Sequence, residues 1–126
     1  SIIILQKKIF LLQKMGFNLG YNYSWYYYGP YCSSLNLDSF KVSSDFEDII
    51  LDSNQEEALI KMSEFAGEND QNVKFLEISA SLIFLKDKNP FFKREDIIQN
   101  LLNLKPHLDK EFIDRVYDRL IMFKLM

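Results

Sequence analysis

Two residue types that often carry enzyme chemistry occur once each in this chain, and they lie far apart in sequence. His107 is the only histidine and Cys32 is the only cysteine. No serine or cysteine is linked to His107 by a recognisable spacing, so we interpret it as a surface residue in a connection between helices. Cys32 is expected to be a small buried hydrophobe, although a helix that begins just after it could lower the pKa of its thiol.

The carboxylates offer one pair at a spacing that suits a metal ion. Asp114 and Asp118 stand one helical turn apart in the segment "DRVYDR". Glu111, Arg115 and Arg119 recur at the same spacing, and the two arginines neutralise that face. We therefore interpret this segment as a charged, solvated helix face rather than a metal site.

Other catalytic motifs are absent from the sequence. It contains no Gly-rich phosphate loop, no nucleophile elbow, and no pair of cysteines or histidines at metal-ligand spacing. We predict that the protein is not an enzyme and has no catalytic residues, no cofactor site and no metal site. An enzyme that uses Cys32 and Asp38 is kept as a third hypothesis, for which no base or oxyanion donor can be named.

The most unusual feature is the aromatic segment "YNYSWYYYGPY" at residues 21–31. Its period of two predicts a strand near residues 20–28, which Gly29-Pro30 should end because proline has no amide hydrogen. One face of this strand should pack beneath helices. That inner face consists of Tyr21, Tyr23, Trp25 and Tyr27. Tyr26 and Tyr28 should stand outside, where tyrosine is a typical anchor of protein interfaces.

The turn after this strand is expected to fix the direction in which the neighbouring tyrosine side chains point. Gly29 should adopt a positive φ, and Pro30 should open the following helix, so that the main chain directs Tyr28 and Tyr31. The strand needs a hydrogen-bonding partner, for which the only later candidate is "DIIL" near residues 48–51.

Helical periodicity dominates the rest of the chain and predicts a mainly α fold. We expect a single compact domain, residues 1–126, of about six helices with this small β element. In the first helix, residues 2–15, Ile2, Leu5, Ile9 and Leu12 share one face. Gln6, Lys7, Gln13 and Lys14 cluster on the opposite side. The helix at residues 72–87 is apolar on two stripes and should be the central one.

Charge and aromatic content together favour a protein partner over a nucleic acid. The net charge is −3, residues 45–70 carry nine carboxylates against Lys61, and residues 15–40 contain no lysine or arginine. Base stacking on tyrosines normally requires interleaved cations, so no specific nucleic-acid binding is expected. The alternative is a winged-helix nucleic-acid binder, which the order helix, strand, helix suggests. Its recognition helix, Ser33–Phe40, would lack basic residues.

The chain is expected to be cytoplasmic. A single cysteine cannot form an internal disulfide, and no signal segment opens the sequence. The apolar start is interrupted by Gln6, Lys7 and Lys8 and is too short for a membrane span, so no membrane association is expected.

Two segments carry a family resemblance. "LQKKIFLLQKMG" and "YSWYYYGPYCSSLNLD" resemble the YwgA-like proteins, a bacterial and archaeal group, and more distantly the Panacea antitoxin domain. The matching residues are Leu5, Gln6, Lys7, Trp25, Tyr28, Gly29, Pro30, Tyr31, Leu35 and Asp38. Cys32 replaces the usual serine, and the strand-rich segment of many relatives is reduced here to "DIIL", which argues against a winged helix.

The resemblance implies binding of a protein rather than a reaction, because Panacea antitoxins neutralise a toxin encoded beside them. We therefore predict a protein-interaction module, antitoxin-like, whose partner is a toxin. Its partner-binding residues are predicted to be Tyr26, Tyr28, Gly29, Pro30, Tyr31 and Asp38.

Overall fold

A computed structural model describes residues 1–41 and 50–126. Its described part contains six α-helices, a two-stranded antiparallel sheet and one 3-10 turn at Gly67–Asn69. The elements in chain order are α1 (Ile2–Lys14), β1 (Ser24–Tyr26), β2 (Gly29–Tyr31), α2 (Ser33–Ser39), α3 (Ser53–Ala66), α4 (Val73–Lys88), α5 (Arg94–Leu104) and α6 (Lys110–Met122). The predicted mainly α class with a small β element is confirmed.

Helix starts follow the capping signals of the sequence. The Asn72 side chain accepts a hydrogen bond from the amide of Phe75 at 3.1 Å and begins α4. Asp109 begins α6 in the same way. The sequence predicts a start of α4 at Asp70 or Asn72, of which Asn72 is correct, and it predicts Asp109 as the cap of the last helix, which is confirmed. For α3 it predicts Ser53 or Asn54 as the cap, but the cap is Asp52, which forms a reciprocal capping box with Gln55.

Helix α4 is the centre of the molecule, as predicted. It packs against α1, α5, α6 and β2. Ten of its residues are buried, among them Leu76, Ile78 and Leu82. A helix that is apolar on two sides must be covered on two sides, and the helices and the hairpin around α4 provide that cover.

The aromatic segment forms a hairpin, which corrects the predicted strand and its predicted partner. Only Ser24–Tyr26 are a strand, and they pair with Gly29–Tyr31 in the register Trp25 opposite Pro30. Gly29-Pro30 therefore begins a second strand instead of ending the first or opening α2. In the proposed partner "DIIL", residues 48 and 49 lie outside the described residues, and Ile50 and Leu51 are not in a strand.

The faces predicted for α1 are correct at Leu12, which is buried, and at Lys14, which is exposed, but they are wrong near the start of the helix. Gln6 and Lys7 are only 1% and 2% exposed, whereas Ile2 and Leu5 are exposed. Apolar residues were expected to be inside because their burial is favourable, yet the hairpin beside α1 presents backbone groups that only polar side chains can satisfy. Among the described residues, none of the helices combines the length and the apolar character that crossing a membrane requires.

Candidate binding surface on the aromatic hairpin

The hairpin approaches α4 most closely at a glycine. Gly29 has a φ of +90°, so the predicted positive φ is confirmed. A Cβ atom at this position would lie 2.4 Å from the Oγ of Ser81 on α4. Glycine is required here for both reasons: its backbone adopts this φ without strain, and no other residue leaves room for the hydroxyl.

The outer edge of β2 is bound by side chains of α1. The Gln6 Oε1 accepts from the amide of Cys32 at 2.9 Å, and its Nε2 donates to the Cys32 carbonyl at 2.7 Å. The Lys7 Nζ donates to the Pro30 carbonyl at 2.5 Å. These side chains satisfy the backbone groups that a third strand would otherwise pair with, which is why they are buried.

A second glutamine of α1 binds the other end of the aromatic segment. The Gln13 Oε1 accepts from the amide of Tyr21 at 2.9 Å, and its Nε2 donates to the Tyr21 carbonyl at 3.0 Å. Gln6 and Gln13 are seven residues apart, which is about two helical turns, so both project from one side of α1. The helix therefore fixes the beginning and the end of the hairpin segment.

A buried ion pair supports the hairpin loop from below. The Lys105 Nζ lies 2.7 Å from the Glu77 Oε1, and both side chains are less than a tenth exposed. The same ammonium group donates to the carbonyl of Tyr27 at 2.7 Å. Burial lowers the pKa of Lys7 to about 8, a shift that the charge of Glu77 opposes and that of Lys105 reinforces.

The lowered pKa of Lys7 makes folding stability depend on pH. Its folded pKa of about 8 lies below the usual 10.5, so between these values the unfolded chain keeps a proton that the folded chain releases. We expect the free energy of unfolding to rise from pH 8 to about 10, by at most about 1.4 kcal/mol per pH unit. Above about pH 10 the trend reverses, because the folded state raises the pKa of Tyr23 and Tyr117.

Urea unfolding across this pH range measures the effect. The control is Lys7→Met, which keeps most of the side-chain volume and should abolish the rise. An equal rise in that variant would assign the pH dependence to another group.

Three consecutive tyrosines at the hairpin loop are exposed. The exposed fractions are 54% for Tyr26, 79% for Tyr27 and 54% for Tyr28. Together with Tyr31 they line an apolar concavity of about 260 Å³ against the start of α1, which we call the tyrosine pocket. Its remaining lining residues are Ile2, Ile3, Gln6 and Lys7.

Three of the four residues predicted to face inward are half-buried, namely Tyr21, Tyr23 and Trp25. The Tyr23 ring packs edge-on against Phe10, and Trp25 packs against Phe84 at a ring distance of 5.9 Å. Tyr27 was predicted to be part of this face, which is wrong. It lies in the two-residue hairpin loop, where the alternation of a strand no longer applies.

The other predicted partner-binding residues are not all brought together. Gly29 and Pro30 are buried, so they position the neighbouring tyrosines and do not themselves reach the surface. Asp38 on α2 accepts a hydrogen bond from the hydroxyl of Tyr21 at 2.8 Å and is not part of the tyrosine pocket.

The residues that the sequence analysis considered as candidates for catalysis or metal binding are not arranged as a catalytic or metal site in the part of the chain that the structure describes. His107 is exposed, and Cys32 is buried with its Sγ 3.1 Å from the Oγ of Ser34. Asp114 and Asp118 both contact Arg94, at 3.4 and 2.7 Å. Within residues 1–41 and 50–126, no group of three or more potential ligands is placed to hold a metal ion.

No family model, curated protein or solved structure matches this chain. The likeness to the YwgA-like proteins and the Panacea domain stays a prediction.

Proposed function

We propose that the protein is a non-enzymatic interaction module that binds a protein partner through the tyrosine pocket. The observation that supports this proposal is the exposure of Tyr26, Tyr27 and Tyr28 on one hairpin loop. Tyrosine is enriched among interface anchors because it offers a large rigid ring and a polar hydroxyl at low entropic cost. Contiguous exposed aromatic rings on one loop are typical of a surface that another molecule covers.

The backbone beneath these rings is already ordered before any partner arrives. Lys105 binds the carbonyl of Tyr27 within the loop, and Lys7 and Gln6 bind the carbonyls of Pro30 and Cys32 after it. Binding to an ordered loop costs less conformational entropy than binding to a mobile one, so more of the contact energy becomes affinity.

The size of the tyrosine pocket favours a protein partner over a small molecule. Its volume of about 260 Å³ lies below the ~300 to 1,000 Å³ that is typical of small-molecule sites. A pocket of this size suits one apolar side chain that projects from a larger surface. The family resemblance makes a toxin the proposed partner. A lone, unpaired cysteine is typical of a reducing compartment, which makes the cytoplasm the proposed location.

The decisive variants are Tyr26→Ala and Tyr28→Ala. Each should weaken the complex with the product of the neighbouring gene by about 1 to 2 kcal/mol, because an anchor ring is lost, while thermal stability changes little. The matched control is Phe91→Ala, which removes an aromatic ring that is 96% exposed in the connection between α4 and α5. It should leave both affinity and stability unchanged. Equal binding by all three variants would contradict the proposal.

Binding to duplex DNA separates this proposal from the winged-helix alternative. Helix α2 carries no lysine or arginine and the net charge is −3. At about 150 mM salt we expect no DNA affinity tighter than the non-specific range of ~10⁻⁴ to 10⁻⁶ M, measured by fluorescence anisotropy. Nanomolar binding that depends on sequence would favour the winged helix instead.

A further inference from the structure

The register of the hairpin leaves the N–H and C=O of one β1 residue facing outward. Trp25 stands opposite Pro30. Because proline has no amide hydrogen, this pair cannot exchange two hydrogen bonds and must be the non-hydrogen-bonded pair of the ladder. The N–H and C=O of Trp25 therefore point away from β2, to the outer edge of β1.

The backbone groups around this edge are already bound. Gln6 and Lys7 bind the outer edge of β2, Gln13 binds both backbone groups of Tyr21, and Lys105 binds the carbonyl of Tyr27. Trp25 lies between these bound residues, and no hydrogen bond among the described residues uses its N–H or C=O. Strand β2 makes the more extensive contact with α1 and α4, whereas β1 contacts α4 through the ring of Trp25 against Phe84. We call the outward-facing N–H and C=O of Trp25 the open edge of β1.

A concavity lies at each end of the open edge. One, of about 350 Å³, is lined by residues 21–23, by the rings of Phe10 and Phe84, and at its rim by the polar side chains of Gln13, Lys14, Asp87 and Lys88. The other, of about 430 Å³, is lined by residues 25–27 together with Leu104 and Lys105. An extended chain that runs along β1 would pass both concavities. Since its side chains alternate in direction, those on one face could enter them.

We propose that an extended segment of the protein partner adds to the open edge of β1 as a third strand. Its backbone pairs with the N–H and C=O of Trp25, and its apolar side chains enter the two concavities. This inference rests on the proposed function and names the form of the bound segment. Lys14 and Asp87 form an ion pair in the first concavity and offset each other's charge. Lys88 lies over the ring of Phe84 at 5.3 Å in the same concavity, so an acidic side chain at that end of the segment gains Lys88 as its charge partner.

The experiment tests the amide group of Trp25 alone, by changing it in a chain that is assembled by chemical ligation. Because Cys32 is the only cysteine, a synthetic segment of residues 1–31 can be joined at that residue to expressed residues 32–126. One product carries a methyl group on the amide nitrogen of Trp25, and the unmodified product is the control. The methyl group points to the open edge, so the hairpin ladder and every side chain are kept. Thermal unfolding checks that both products fold.

The binding probes are peptides of about a dozen residues, selected from a random displayed library against the unmodified chain. We expect the selected peptides to alternate apolar side chains and to bind the methylated chain about tenfold more weakly or worse. On the unmodified chain, a bound peptide should slow hydrogen exchange at the Trp25 amide by about tenfold or more. If the methylated chain does not fold, this exchange measurement decides alone.

Four outcomes overturn the inference. In the first, the peptides bind Tyr28→Ala more weakly but bind the methylated chain as tightly as the unmodified one, and they leave hydrogen exchange at Trp25 unchanged. This result would contradict strand addition and would still support the proposed function. Recovery of no peptide, or a Trp25 amide that is already protected in the free monomer, would remove the open edge as a site. Exchange that slows with protein concentration together with a dimer mass would assign the edge to a second copy.

Discussion

Replacing Glu77 with leucine is expected to lower the free energy of unfolding by about 3 to 5 kcal/mol. Its carboxylate lies 2.7 Å from the Lys105 ammonium, and both groups are almost fully removed from water. Without Glu77, Lys105 stays buried without its counter-charge, and the neighbouring Lys7 also loses a charge that favours its protonated form. A buried charge without a partner is among the most destabilising defects in a fold.

The matched variants are Lys105→Met and the double variant Glu77→Leu/Lys105→Met. The single Lys105→Met should cost a similar amount, because it leaves Glu77 unpaired and removes the bond to the Tyr27 carbonyl. The double variant should be more stable than the sum of the two losses predicts, since neither charge remains. The midpoint of urea unfolding at constant m-value measures all three. Simple additivity would show that the two side chains act independently.

Replacing Gly29 with alanine is expected to cost between about 2 and 6 kcal/mol. Two causes add: the φ of +90° strains any residue with a Cβ, by about 1 to 3 kcal/mol, and the new methyl group overlaps the Ser81 Oγ, at a similar cost. The Ser81 hydroxyl is buried, with no hydrogen-bond partner among the described residues. This hydroxyl lies where α4 faces Gly29 of the hairpin.

A double-mutant cycle with Ser81→Ala separates the two causes. Ser81→Ala alone should be neutral or stabilising, because it removes a buried hydroxyl that makes no hydrogen bond. In that background Gly29→Ala keeps only the backbone strain, since the Ser81 Cβ would lie 3.7 Å away, which is an ordinary contact. If Ser81→Ala recovers none of the loss, the overlap with its hydroxyl is not the cause.

The helices could be predicted from the sequence because each has a clear apolar period and local capping residues. Asn72 and Asp109 act within three residues of their own position, so their role is readable locally. Helix α4 has apolar residues on two stripes, which identifies a central helix without knowledge of its neighbours.

The support of the binding surface could not be predicted, because it depends on residues that meet only in the folded chain. Gln6 binds a backbone 26 residues away, and Lys105 binds one 78 residues away. Periodicity assigned Gln6 to the solvent because it treats every polar side chain as hydrated. Proline at position 30 was interpreted as a strand end, although it is compatible with an edge strand wherever its missing N–H would point outward. The polar pair Gln6-Lys7 within an apolar run was the one available signal.

The bonds from α1 to the hairpin have a consequence for the order of folding. A two-stranded hairpin is marginally stable at best by itself in water, and this one has strands of three residues. The bonds from Gln6 and Lys7 span 26 and 23 residues, so they form only after that length of chain has closed into a loop. The bond from Lys105 to Tyr27 spans 78 residues, so the hairpin loop gains its full support only when most of the chain has folded. A partner that recognises the tyrosine pocket would therefore distinguish the folded chain from nascent or partly unfolded copies.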